Sequence, residues 1–279
     1  MNSTSAVLTE QQVHEIARRL YEHGPLKRAF RSDFFLYPAS LTLAVGLWYL
    51  TIGLFSVPAY LLPTPHAVAA AGLDNIPLIA EASWVTLREI VAAFLVCLVV
   101  GIPTGLLIAS SRITEKLINP LLVLSQGVPK IALAPVFLAW FGFGFQANLA
   151  IGFLIAVFPI VVNTVLGMHA LDPAMVRLGK SAGASKWRLF WVVRLPTALP
   201  SIFAGMKISV TFAAVGAIIG EFAAGDAGLG YVIQVTIGNL EMPLGFAAIL
   251  ATAMVGLITY VAVEAIERVA LRTRPKTHE

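Results

Sequence analysis

Six stretches of this chain, at about 36–57, 84–109, 120–141, 148–166, 199–221 and 244–265, are apolar for about 20 residues each, the length of a helix that crosses a bilayer core. Backbone groups in lipid must satisfy one another, so such runs become helices. Composition agrees: 12% of the residues are charged and 58% are apolar, where an ordinary water-soluble domain carries about 25% charge. The expected fold class is an all-α membrane protein with about six transmembrane helices. The third stretch carries Ser125, Gln126, Pro129, Lys130 and Pro135 and is expected to be broken or kinked.

The basic residues set the orientation. All but three of the 19 lysines and arginines fall in four segments. These are the N-terminal tail (Arg18, Arg19, Lys27, Arg28, Arg31), the loop with Arg112 and Lys116, the loop with Arg177, Lys180, Lys186, Arg188 and Arg194, and the C-terminal tail (Arg268, Arg272, Arg274, Lys276). The exceptions are Arg88, Lys130 and Lys207. The alternate loops, about 58–82, 142–147 and 222–243, have none. With six spans every basic segment lies on one side, so both termini are expected in the cytoplasm. The domain expectation is a cytoplasmic tail over 1–34, a six-helix transmembrane domain over 35–270 and a cytoplasmic tail over 271–279. Within the first tail Val13, Ile16, Ala17, Leu20 and Tyr21 share one helical face. That suits an amphipathic helix on the membrane surface or a short solvated one. The first apolar run begins too late and is too long for a removable signal.

Several chemistries are excluded. The single cysteine, Cys97, leaves no intrachain disulfide and no CxxC motif. The histidines are scattered without ligand spacing, so no metal site is expected. No Ser/His, di-carboxylate or His-cluster constellation appears, so no catalytic residue is assigned. The basic residues flank spans and are not interleaved with aromatic platforms on one folded face, so nucleic acid is not an expected partner. Gly179-Lys180-Ser181 imitates the end of a phosphate-binding loop, but the required first glycine is Ala174 and no strand precedes it. The two halves share no loop lengths or motifs, which weighs against a secondary transporter built of inverted repeats.

The loop over about 168–198 is long for a connection in a helical bundle. Asp172-Pro173 reads as an N-cap with proline at the first helical position. Gly183 interrupts that helix, and Ser185 can cap a second through Lys186, Trp187, Arg188, Leu189, Phe190 and Trp191. A helix–turn–helix bracket results, apolar and basic together, suited to docking in a groove of a soluble partner.

This loop resembles the cytoplasmic signature of ABC importer permeases, EAA-x3-G-x9-I-x-LP. The matching positions are Arg177, Leu178, Gly179, then Gly183 followed by Ala184 and Ser185, then Val193, Leu195 and Pro196. Arg177 stands where the signature has its acid. Leu62-Pro63-Thr64-Pro65, Gly101-Ile102-Pro103-Thr104-Gly105, Val128-Pro129-Lys130-Ile131-Ala132-Leu133-Ala134-Pro135, Phe158-Pro159 and Gly228-Leu229-Gly230-Tyr231 look like the nitrate/sulfonate/taurine group of these permeases. Pro129-Lys130-Ile131-Ala132 and Gly220-Glu221-Phe222 look closest to its pyrimidine-precursor or riboflavin branch.

The resemblance implies the type I importer fold and an ATP-driven importer in the inner membrane. It implies a second permease copy (a homodimer), two cytoplasmic ATPases that bind ATP and magnesium, and an extracytoplasmic solute-binding protein. The chain itself is expected to bind no cofactor and to be no enzyme. An ion-gradient-driven secondary transporter or channel is the alternative; it would not need the bracket.

Polar residues inside the spans complete the reading, since a charge at a span centre costs roughly 2.5–3.5 kcal/mol on insertion scales. Lys130 and Glu221, with Gln126 and Asn163, are assigned to the substrate pathway. The competing reading is that Lys130 and Glu221 pair structurally or snorkel to the lipid interfaces. Arg88 and Glu89 are read as an anchor at the outer end of the second span. Lys207 is expected to meet a loop carboxylate or snorkel inward. Gly101-x3-Gly105 and Gly216-x3-Gly220 allow close helix packing, within one subunit or at a dimer seam.

Overall fold

The computed structural model describes residues 33–271. The expected amphipathic helix in the first tail and the C-terminal tail fall outside the described residues. Contacts divide the chain into two units, 1–65 and 66–279. Among the described residues there are helices and no strands.

The first unit contains α1 (Asp33–Phe55). Leu41, Leu47, Leu50 and Leu54 are all exposed on it, an apolar surface on every side as a lipid-embedded helix presents. Its two threonine hydroxyls are satisfied on the helix itself: Thr42 Oγ1 donates to the Pro38 carbonyl (2.9 Å) and Thr51 Oγ1 to that of Leu47 (2.8 Å).

The second unit holds α2 (Pro65–Asp74), α3 (Ile76–Ser110), α4 (Arg112–Gly127), a 3₁₀ turn (Lys130–Leu133), α5 (Ala134–Phe141) and α6 (Phe145–His169). Then follow α7 (Pro173–Ser181), α8 (Lys186–Leu189), a π turn (Phe190–Arg194), α9 (Leu195–Ala224), α10 (Leu229–Gly238) and α11 (Met242–Leu271). The helix α6 is the centre, packed along α9 on one side and α3 on the other. Both α10 and α11 lie against α9. The core at this junction is built largely of small side chains: Ala93 and Cys97 of α3, Ala156 of α6, Ala213 and Ala217 of α9, Ala248 of α11. Small residues bring helices close when apolar lipid removes any hydrophobic drive between them.

Among the described residues five helices are long and apolar enough to cross a membrane: Pro38–Phe55, Ile76–Ser110, Phe145–His169, Lys186–Ala223 and Met242–Leu271. Leu95 and Val99 on α3 and Leu257, Ile258 and Val261 on α11 face outward. The expected third span is not one helix. Val128, forced into extended backbone by the proline that follows it, ends α4; Pro129 is extended too, and Lys130–Leu133 and α5 follow. The expected loops 58–82 and 222–243 hold the helices α2 and α10, and α3 starts at Ile76, well before the expected 84. The early start follows from Pro77 in its first turn, where the missing N–H has no partner to lose.

Candidate functional site

The loop between α6 and α9 folds as a bracket. The Asp172 carboxylate accepts the Ala174 N–H at 2.7 Å and starts α7. The helix ends in a double closure: the Gly183 N–H reaches the Lys180 carbonyl and the Ala184 N–H that of Gly179, each at 3.0 Å. This arrangement needs a left-handed residue at its turn, and Gly183 supplies it at φ 76°. Ser185 Oγ then accepts the Arg188 N–H at 3.2 Å and starts α8. The two arms touch at Gly179, where an added Cβ would overlap the buried Leu189 side chain. Thus Gly179 sets the closeness of the arms and Gly183 the turn between them.

The outer face of the bracket is apolar and aromatic. Leu178 is 72% exposed and Trp187 70%. Trp187 stacks on Phe190 (centroids 6.2 Å) and meets Trp191 edge-on (5.5 Å). Arg177, Lys180, Lys186 and Arg188 of the bracket are exposed as well. Val193, Leu195 and Pro196 are half-buried where the π turn passes into α9. One continuous helical run, 186–223, therefore connects the bracket to the bilayer-length part of α9.

The four residues assigned to the pathway occupy different surroundings. Lys130 sits in the 3₁₀ turn, its ammonium 5.8 Å from the centre of the Phe158 ring on α6. Asn163, also on α6, donates from Nδ2 to the Pro159 carbonyl at 2.9 Å and is partly buried. Gln126 lies near the end of α4, its side chain outside the described set. Glu221 is fully buried on α9. Among the described residues no ion pair joins Glu221 to Lys130.

Glu221 instead anchors a buried polar cluster. Thr86 Oγ1 of α3 donates to its Oε1 at 2.6 Å, and the Gly230 N–H donates to Oε2. The Thr86 oxygen accepts the Leu229 N–H at 2.9 Å. Leu229 and Gly230 open α10, so one carboxylate and one hydroxyl satisfy that helix's first donors. Glu89, read from the sequence as an outer anchor, is buried beside Glu221 and accepts from Asn148 Nδ2 of α6 at 2.9 Å. Thr86 and Asn148 were not singled out by sequence reasoning. Asn148 carried a signal, an amide at the opening of an apolar run; Thr86 carried none.

Lys207 of α9 pairs with Glu267 of α11 at 2.7 Å, a helix carboxylate where a loop one was expected. The small-residue motifs pack within the subunit. An added Cβ at Gly101 would meet Ile160 Cγ2 at 2.9 Å and one at Gly105 would meet Thr164 Cβ at 2.6 Å, both on α6. Added carbons at Gly216 and Gly220 would strike the α6 backbone at Gly152 and Asn148.

Bilayer-length apolar helices carrying an exposed helical bracket are the architecture of a multi-pass membrane protein. Comparison with known proteins names the kind. Residues 101–271 match the family described as binding-protein-dependent transport system inner membrane component, and the chain belongs to that family. It is similar to the riboflavin transport system permease protein RibX of Chloroflexus aurantiacus, 32% identical over 84% of this chain and 88% of that one. It is similar as well to the formylaminopyrimidine transport permease protein ThiX of Halalkalibacterium halodurans, 32% identical over 82% of this chain and 92% of that one. In fold it resembles a chain of the inward-facing MetNI methionine ABC transporter, with a TM-score of 0.60 at 19% identity, covering 71% of this chain and 98% of that one. The protein is therefore the multi-pass inner-membrane permease subunit of an ABC importer, working with an ATPase and a binding protein, and it is not itself an enzyme.

Proposed function

We propose that the bracket of α7 and α8 couples this permease to its ATPases, and that the cargo is a small organic molecule of the pyrimidine-like vitamin-precursor class. The observation that carries the coupling is the exposed aromatic and basic face around Leu178, Trp187 and Trp191, fixed by the turn at Gly183 and continuous with α9. Moving a two-state equilibrium from 1:99 to 99:1 takes about 5.5 kcal/mol of differential binding. Lipid-facing helices offer no such difference, whereas a face gripped differently with and without ATP does.

Each chain has one bracket, so two copies, as a homodimer, serve two ATPases carrying ATP and magnesium. The bracket and both termini face the cytoplasm, by the asymmetry of lysine and arginine. Lys130, Asn163 and Gln126 contribute polar groups to the pathway, and Glu221 supports it through the seat of α10. The named cargoes of the RibX and ThiX relatives support the substrate class.

The test is gentle purification of the tagged protein with its native partners, followed by uptake in proteoliposomes with the co-purified binding protein. A stoichiometric ATPase and ATP-dependent uptake of a formylaminopyrimidine or riboflavin are expected. Uptake driven by an ion gradient without ATP overturns the coupling, and ATP-dependent uptake of neither compound overturns the substrate class.

A further inference from the structure

A cavity of about 660 Å³ lies on the bracket side of the bundle. Ser110 at the end of α3, His169 at the end of α6 and Arg194 just before α9 line it, together with Glu115 of α4 and Arg177 of α7. Two bilayer-length helices, α3 and α6, thus end at this cavity and the run 186–223 passes it, which places it where lipid headgroups begin.

Its charges are unbalanced toward an anion. Glu115, the only carboxylate of the lining, lies 3.7 Å from the His169 ring nitrogen Nδ1 and stands against two arginines. Neither Arg177 nor Arg194 has an ion pair among the described residues. The guanidinium-bearing Arg177 and Arg194 thus border one space, beside Ser110, whose hydroxyl donates to the Leu107 carbonyl at 2.6 Å. Guanidinium forks match the oxygens of a phosphate. The exposed Leu107 and Ile113 lie within one turn of Ser110 and Glu115, apolar surface beside a charged cavity, as an acyl chain with a phosphate head requires.

We propose that this cavity binds the phosphodiester headgroup of an anionic phospholipid of the inner leaflet, held by Arg177 and Arg194. Basic pockets between transmembrane helices on the cytoplasmic side take such headgroups. The site rests on the reading above that the bracket faces the cytoplasm. It gives the arginine at the acid position of the coupling signature a ligand in the membrane. It also ties the resting position of α7 to lipid charge. The bracket's aromatic face around Trp187 stays free for the ATPase.

The experiment uses the assembled importer in nanodiscs of equal parts phosphatidylglycerol and phosphatidylcholine, with lipid retention read by native mass spectrometry. Wild type is expected to retain phosphatidylglycerol over phosphatidylcholine. Arg177→Gln/Arg194→Gln is expected to retain about 25-fold less of it, at about 5-fold per arginine near a membrane surface. Arg194→Lys, which keeps the charge, is expected to restore part of the retention. Inorganic phosphate added in excess is expected to leave the lipid in place; displacement by it makes the site one for free phosphate and overturns the lipid assignment.

Equal retention of phosphatidylglycerol by wild type and the double variant overturns the proposal. Unchanged retention together with loss of the co-purified ATPase assigns the arginines to the ATPase interface, which also overturns it. The coupling reading fails separately, if wild type carries no ATPase. Lipid retention is then scored on the permease alone.

Discussion

The Thr86 hydroxyl on α3 donates a 2.6 Å hydrogen bond to Glu221 on α9, joining positions 135 residues apart. The same oxygen accepts the Leu229 N–H of α10, so three helices meet at one buried hydroxyl. Leaving buried donors and acceptors unmatched costs about 1–3 kcal/mol each. Thr86→Val keeps the shape and removes the hydroxyl. It should lower the thermal midpoint of the detergent-purified importer by several degrees, while Thr86→Ser stays near wild type. Equal midpoints for all three proteins would remove this bridge from the account of stability. Glu221→Gln should destabilise as well, because Thr86 and Gly230 donate to different oxygens and the amide nitrogen that replaces one of them cannot accept.

Close packing against α6 gives a second expectation. Cβ atoms at Gly216 and Gly220 would meet backbone of that helix, which cannot swing aside as a side chain can. Overpacking of this kind costs about 1–3 kcal/mol. Gly216→Ala and Gly220→Ala should each reduce the yield of assembled, monodisperse protein and its melting midpoint. Gly53→Ala on α1, where nothing lies within 4 Å of the added carbon, should change neither. A Gly53 effect as large as that at Gly216 would show that packing is not the cause.

The spans and the bracket could be read in advance because each rests on a local rule. Runs of bilayer length impose helices, and Asp172, Gly183 and Ser185 act within a few residues of themselves. The break at Val128–Pro129 follows from a local clash as well. The helix α10 was hidden because the acceptor that seats it, Glu221, is carried by the preceding helix and acts through space. For the same reason Glu89 looked like an anchor at a span end: its partner Asn148 lies 59 residues away. The glycine motifs announced close contacts without naming the neighbour, which the fold supplies as α6.

The turn at Gly183 separates folding from coupling. No atom lies within 4 Å of a Cβ added there, so volume is tolerated locally, but φ 76° is not a conformation that branched residues accept. Gly183→Asn, a residue that enters the left-handed region readily, should retain most of the substrate-stimulated ATP hydrolysis of the reconstituted importer. Gly183→Val strains the turn by about 1–2 kcal/mol and should shift the arms, lowering stimulated hydrolysis and uptake together with normal membrane insertion. Equal stimulation in the Asn and Val variants would mean that the turn geometry does not carry coupling.

The pair of Lys207 and Glu267, at 2.7 Å between α9 and α11, is largely shielded, with side-chain exposures of 24% and 17%. A hydrogen bond to a charged group contributes about 1.5–3 kcal/mol, and removing one partner leaves the other charge in poorly hydrated surroundings. Lys207→Met should therefore destabilise more than Lys207→Met/Glu267→Gln, in which no lone charge remains. Thermal unfolding of wild type, both single variants and the double variant closes the cycle. A coupling energy of about 1 kcal/mol or more is expected. Strictly additive midpoint shifts would instead mean that Lys207 and Glu267 each act alone and that their approach contributes nothing to joining α9 with α11.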